Sequence, residues 1–345
     1  MSQRRVAVVL LNLGGPDSLR AVRPFLFNLF KDPAILPLPA PVRLALAALI
    51  SSTRAKSARA NYAHMGGASP LLRETESQAQ AFTVALAGKL PGDEVRSFIA
   101  MRYWRPFTEE AARAVEAFAP DEVVLLPLYP QFASATTGSS LKAWKAAYRG
   151  PGRVRAVCCW FELEGLIAAH VERIRRCWEA AGRPEKVRVL FSAHGLPERD
   201  IAKGDPYRWQ VEQTCAAIAA RLEWPWDWRI CYQSRVGPLK WIGPSTPEAI
   251  TEACEDGMNV LIDPVAFVSE HVETLVELDR DYAEVADRQG CDVYLRAPTV
   301  GTEPVFIDAL AGVAVRALGQ APGVHPSGRA CESAWRGCPL QVAAT

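Results

Sequence analysis

A histidine at the end of an apolar run is the first group in this chain with the means to do chemistry. The stretch VRVLFSAHGLPERDIAKGDPY (187–207) opens on Val187–Phe191, largely β-branched and apolar, which suits a strand buried on both faces. Gly195 and Pro197 forbid its continuation past Ser192-Ala193-His194. His194 therefore stands at the carboxyl end of a strand, where open α/β sheets keep their ligand crevices. On position alone, a histidine that only caps the turn is the competing reading.

The second chemical stretch is DPVAFVSEHVETLVELDRDY (263–282). Ser269, Glu270 and His271 sit at a helix start, and Glu273, Glu277 and Asp281, four apart, share one helical face. An acidic stripe usually faces solvent. Here Val272, Leu275, Val276 and Leu278 cover much of the remaining circumference, so the stripe is placed to face an internal channel. Like charges at this spacing repel by a few tenths of a kcal/mol per pair. That cost is easier to understand if the stripe handles protons or cations.

If the two preceding strands are neighbours, His194 and His271 open into one crevice with Glu273 beside them. Nitrogen and oxygen donors without thiolate suit a metal held loosely and released, Fe(II) among them. A structural zinc site would show four ligands, usually with cysteines. The same imidazoles and carboxylate could equally act as general bases near neutral pH. The sequence holds no G-x-G-x-x-G, P-loop, G-x-S-x-G or H-E-x-x-H. TTGSS (136–140) reads as a helix start able to take an anion on its backbone N–H groups, or as ordinary hydroxyl capping. Arg102-Tyr103 at a strand end, and Trp241 in LKWIGP, offer flat aromatic faces, the first beside a charge.

The elements that must position these groups alternate. Strand-like runs fall at 6–11, 95–101, 123–128, 154–160, 187–191, 229–232, 260–265 and 293–295. Helical periodicity falls at 71–90, 108–118, 163–181, 209–222, 247–256, 271–289 and 304–318. This predicts an α/β chain with parallel sheets flanked by helices. LLNLGGP (10–16) echoes LFSAHGLP (190–197), and LLPLYPQF (125–132) echoes LIDPVAFV (261–268). Two copies of a four-stranded unit would explain both echoes; chance likeness between buried strands is the alternative. The expected division is an N-terminal lobe over 1–155, a C-terminal lobe over 156–320 and a cysteine-containing tail over 321–345.

Residues 33–70 break the rhythm. They are proline-rich, then helical with Leu44, Leu46, Leu49 and Ile50, then basic with Arg54, Lys56 and Arg59. Such a helix either packs inside its lobe or forms an exposed lip that meets a membrane surface or a flat apolar ligand.

With 345 residues, 49% of them hydrophobic, the chain can bury a large core, and its net charge of +1 gives no argument for nucleic acid. No stretch reaches the ~18 apolar residues that span a bilayer. The start, MSQRRVAVVLLNLGGP, reads as a first strand because its apolar run is short and ends in Gly-Gly-Pro. Nine cysteines, an odd number, point to a reducing cytoplasm.

Taken together, LLNLGGP, Tyr62 with GGASP, Arg102-Tyr103, YPQF-A-S-A-TTGSSL, FSAHGLP, KGDPY, YQSRVGPLKWIGP and SEHVETLVELD resemble the motifs of ferrochelatases, in order, from about residue 6 to about residue 318. The resemblance implies two Rossmann-like lobes and the insertion of Fe(II) into protoporphyrin IX, a lyase step at the end of haem synthesis. It implies that His194 is the metal-site histidine, as proton acceptor or ligand, with Glu273 as its partner, His271 in support, and Glu277 and Asp281 continuing a proton or iron path. Leu13, Tyr62, Ser69, Arg102, Tyr103 and Trp241 would line the macrocycle pocket, and 33–60 would face the membrane from the cytoplasmic side. Glu270 stands where aspartate is expected. The LGGP turn lacks the tyrosine of relatives acting on coproporphyrin, which favours protoporphyrin.

Many family members carry a 2Fe–2S cluster. Cys331 and Cys338 fit the C-terminal ligands, and both Cys158 and Cys159 would be needed to complete four, against free thiols as the alternative. Neighbours on a strand point to opposite faces, so joint ligation requires a distorted strand. A chelatase for cobalt, nickel or another tetrapyrrole, and a carrier of haem or metal without turnover, are the rival functions.

Overall fold

The computed structural model describes residues 3–223, 227–235, 237–332 and 334–342. Nine strands appear in chain order: β1 Arg5–Asn12, β2 Glu94–Met101, β3 Glu122–Pro127, β4 Arg153–Val157, β5 Val187–His194, β6 Asp227–Gln233, β7 Asn259–Asp263, β8 Tyr294–Arg296 and β9 Gly323–His325. They form two sheets, one ordered β2-β1-β3-β4-β9 and the other β6-β5-β7-β8. Among the described residues every pairing between these strands is parallel.

The chain divides into two units. The first comprises residues up to Leu128, Ala133–Cys158 and Ala314–His325; the second comprises Tyr129–Phe132, Cys159–Val313 and Pro326 onward. Within each unit the first strand is central, its successor pairs on one side, and the third strand pairs on the other. The internal echo thus falls on matching strands, β1 with β5 and β3 with β7. The reversal of direction in strand order is the switch point at which a parallel sheet opens a crevice beyond its carboxyl edge.

The first sheet has five strands where four were expected. The added strand, β9, pairs with β4 from Arg155↔Gly323 to Val157↔His325, so residues 314–325 return to the first unit rather than extending the C-terminal lobe or its tail. The expected 154–160 strand ends at Val157. Beyond it Cys158 still donates its backbone N–H to His325 O and Cys159 O accepts from Ser327 N, but Trp160 turns away to donate to Pro130 O. The expected 187–191 strand instead runs on to His194. Ser192 looks like an exit signal, yet its hydroxyl is met by Gln233 Oε1 and Thr246 Oγ1, both at 2.9 Å, so burying it costs little. Arg188 in the same strand is buried and paired with Asp227 and Asp256.

Each core is built from alternating faces. In the first unit, helix Thr108–Phe118 buries Ala111, Ala112, Val115 and Phe118 against Ala7, Val9, Leu11, Val123 and Leu125. In the second, helix Thr246–Glu255 sets Ala249, Ile250 and Ala253 on Leu190, Val260 and Ile262. That helix starts with a reciprocal cap between Ser245 and Glu248, as S-T-P-E at 245–248 dictates. Truncating a fully buried Ile250 to alanine would cost about 2–5 kcal/mol.

Residues 40–64 form one long helix with a narrow buried stripe, Ala47, Ser51, Ala55 and Tyr62. Val42, Leu44 and Leu49 stay exposed, as do Arg54, Lys56 and Arg59. Of the two readings of this region, exposure is the one observed. No helix among the described residues is long and apolar enough to cross a membrane.

Candidate active site

His194 is the last residue of β5, and its Nδ1 lies 2.9 Å from Glu273 Oε2. A carboxylate opposite Nδ1 fixes a proton there, leaving Nε2 as the nitrogen available to a substrate. His271 Nε2 lies 3.8 Å from the same Glu273 oxygen, and its Nδ1 donates to Ser269 O at 3.1 Å. The two imidazoles and the glutamate expected to converge are therefore together, at the switch point of the second sheet. His194 is the most open of the three, with its side chain 38% exposed.

Burial of the His194 ring opposes protonation, but the Glu273 charge and hydrogen bond outweigh it, with Glu277 adding to them, and the pKa rises. The same burial would protonate Glu273. His194 first and His271 second overcome that and hold the carboxyl well below its usual range. Glu273 is thus a fixed counter-charge and a poor proton acceptor; His194 is the base of the pair.

Glu273 opens the segment Glu273–Asp281, which is wound as a π-helix with i→i+5 bonds rather than as the α-helix its spacing suggested. Glu277, one turn on, accepts from Ser234 Oγ at 2.6 Å and Gln233 Nε2 at 3.1 Å. Gln233 Nε2 also donates to the Glu273 carbonyl at 2.9 Å, so one amide touches both turns. Burial and the nearby Glu273 charge push the Glu277 carboxyl up to about 6. Glu277 and Asp281 line a cavity of about 340 Å³ with Tyr232, Ser234, Arg235 and Tyr282.

Arg296 on β8 holds this segment from both sides. It pairs with Glu270 at 2.7 Å, just before His271, and with Asp279 at 2.6 Å on the π-helix. Trp241 lies against the turn after His194: a Cβ on Gly195 would stand 3.0 Å from Gln233 O and 3.2 Å from the Trp241 ring. Only glycine lets the indole come that close.

The other expected pocket residues lie in the first unit. Arg102 Nη2 donates to Asp32 Oδ2 at 2.6 Å and Nε to Ser139 Oγ at 2.7 Å, while Tyr103 OH and Ser139 Oγ donate to the same Asp32 oxygen. Burial opposes ionisation of Asp32, but bonds from Ser139 and Ala34 and the Arg102 charge prevail, and its pKa falls. Ser139 thus spends its hydroxyl on Asp32, and TTGSS caps no helix through a side chain. Tyr62 and Tyr103 are buried, Leu13 and Ser69 partly so. Ser69 Oγ is so close to Gly15 that a Cβ there would overlap it.

The ferrochelatase family profile matches residues 5–318. A ferrochelatase of Caulobacter vibrioides is 59% identical over 99% of both chains, and one of Phenylobacterium zucineum is 58% identical over 94% of both. The chain belongs to the ferrochelatase family. At the level of fold alone, SirB from Bacillus subtilis with Fe3+ superposes with a TM-score of 0.51 at 14% identity, covering 92% of this chain and 99% of its own.

The residues to which sequence reasoning gave no role are the supports: Gln233, Ser234 and Asp279, which lie inside quoted motifs, and Asp32 and Arg296, which lie outside them. Asp32 left a local signal of its own, an Asp-Pro pair whose carboxylate accepts from Ala34 N at 2.8 Å. A second histidine–carboxylate pair, His170 with Asp263 at 2.9 Å, is fully buried in the second unit and was also missed.

The four cysteines expected to act together straddle the boundary between the units, which falls between the adjacent Cys158 and Cys159. Cys158 falls in the first unit; Cys159, Cys331 and Cys338 fall in the second. Cys331 makes thiol hydrogen bonds with Cys159 and Cys338, and these with Gln210 Nε2 at 3.1 Å pull its pKa down to about 3. Among the described residues, no trio of His, Cys, Asp or Glu is already arranged as a metal cage.

Proposed function

We propose that this chain inserts Fe(II) into protoporphyrin IX, the terminal, lyase-type step of haem formation. One observation carries the reading: a partly exposed imidazole at a sheet's switch point, 2.9 Å from a carboxylate that cannot easily take up protons. Insertion exchanges two pyrrole N–H protons for one dication, so the site needs a base that works as the metal enters. At rest His194 tends to hold a second proton. A ferrous ion approaching the pair drives that proton to solvent, and the freed Nε2 accepts the two pyrrole protons one after the other, passing the first on before it takes the second. Glu277, near pH 6 in its own titration and linked to the Glu273 turn through Gln233, is suited to pass protons toward the cavity that Asp281 lines.

Porphyrin contact is assigned, from the ferrochelatase motifs, to Leu13, Tyr62, Ser69, Arg102 and Tyr103 within the first unit and, separately, to Trp241 within the second. Arg102 is held by Asp32, and its guanidinium supplies positive charge for a propionate. His271 orients Glu273 rather than meeting the ring.

A 2Fe–2S cluster belongs to this reading as a resident group. The donor chemistry fits, since Cys159, Cys331 and Cys338 meet and one of them ionises readily; Cys158 is the assigned fourth ligand. Peripheral membrane contact from the cytoplasmic side is proposed for helix Ala40–His64, on its exposed Val42, Leu44 and Leu49 and neighbouring cations.

Incubation with protoporphyrin and Fe(II) or Zn(II), followed by absorbance, tests the central reading. Repeated turnover is expected. A bound spectrum that stops at one equivalent would make the protein a carrier. Turnover only with cobalt or nickel and a different tetrapyrrole would make it another chelatase.

A further inference from the structure

We propose that Cys254 and Cys291 are a redox pair that closes a reversible disulfide around the segment carrying His271, Glu273, Glu277 and Asp281. Cys254 lies in the last turn of helix Thr246–Glu255, and Cys291 follows helix Tyr282–Arg288, the continuation of the π-helix. Both pack against one cluster with Met258, Tyr282, Val285 and Tyr294. The turn after Cys254 brings Met258 round, Met258 N donating to Ala253 O at 2.9 Å, and Cys291 Sγ donates to Met258 O at 3.7 Å. The two thiols share a hydrogen bond. Both are free and partly exposed, so a small reagent can reach them. Residues 254–291 contain every candidate acid and imidazole of the site except His194.

The chemistry balances with a low-molecular-weight disulfide as oxidant. Burial, then the bond to Cys291, pushes Cys254 up to about 12, so Cys254 keeps its proton and the first attack falls to Cys291. The Cys291 thiolate cleaves the reagent's S–S bond, releasing one thiol and leaving a mixed disulfide. Cys254 then gives up its proton and attacks the Cys291 sulfur, expelling the second thiol. Two protein thiols are oxidised and one reagent disulfide is reduced. The closed loop limits the unfolded chain and ties the end of the catalytic segment to a core helix.

The test uses the full chain held in excess oxidised glutathione, then alkylated under denaturing conditions, digested and weighed. A peptide joining 254 to 291, lighter by two hydrogens than the sum of its parts and lost with dithiothreitol, is expected. In Cys254→Ser, glutathione should remain on Cys291 as a stable adduct. The oxidised wild type should unfold at a higher temperature than the reduced form, with no such increment in Cys254→Ser. Both cysteines fully alkylated, glutathione on either without the cross-link in wild type, or a cross-linked protein with no gain in unfolding temperature would each overturn the proposal.

Discussion

The two sheets share the order of their first four strands and differ in what stands at their carboxyl edges. In the second unit the edge is titratable: a partly exposed histidine, a glutamate held ionised, and a second glutamate pushed up to about 6. In the first unit the charges cancel, with buried Asp32 taking Arg102, Tyr103 and Ser139 onto one oxygen. One scaffold thus supplies a proton-handling edge and an anchoring edge. The difference lies in the last residues of matched strands: β1 closes on Asn12, where β5 closes on His194.

Breaking the titratable edge should have the largest effect. His194→Ala should lower iron insertion by about 10²–10⁴-fold, the usual worth of a general base, while porphyrin affinity measured by fluorescence quenching changes little. An unchanged rate would remove His194 from the mechanism. Breaking the anchoring edge should act through binding and stability instead. Asp32→Ala leaves a half-buried Arg102 without its partner, and a loss of about 3 kcal/mol by denaturant titration is expected, with a raised porphyrin KM. A loss in turnover number alone, at unchanged KM and stability, would erase the contrast between the two edges.

The contrast sharpens with pH. The folded-state pKa of Glu277 is raised, so its contribution is present at low pH and lost as pH climbs from the ordinary 4.5 through about 6. Wild-type stability should therefore fall by about 1 kcal/mol across that window, and Glu277→Gln should flatten the fall and remove an ionisation near 6 from the rate profile. No change in either curve would disconnect Glu277 from the edge. The smallest effect is expected outside both edges. Leu49→Glu should weaken sedimentation with anionic vesicles by about tenfold, an effect in line with losing one buried apolar side chain. Equal binding by both proteins would free helix Ala40–His64 from that role.

What the sequence revealed follows from how local each signal is. β1, β3, β5 and β7 carry their own apolar runs, and His194 stands before a Gly/Pro turn, so both fold class and key base were legible. β9 was not, because Gly323–His325 becomes a strand only by pairing with β4. The extension of β5 through Ser192 depends on Gln233 and Thr246, distant in sequence. Acids spaced by four look alike on an α- and a π-helix, so the winding of Glu273–Asp281 was hidden while its shared face was not. Arg296, Asp279 and Gln233 escaped notice because nothing marks a charged or amide residue as a support until its partners are known.

The central claim is that Glu273 charges His194. It is tested most directly by following the His194 ring by NMR across pH in wild type and in Glu273→Gln. The raised pKa contributes stability that is complete below 6.5 and lost as pH rises through the folded value; the lowered Glu273 pKa contributes above 4.5 and is lost as pH falls through its own folded value. A wild-type midpoint above 6.5 that drops in Glu273→Gln is the expected result. The same midpoint in both proteins, or one below 6.5 in wild type, would contradict it.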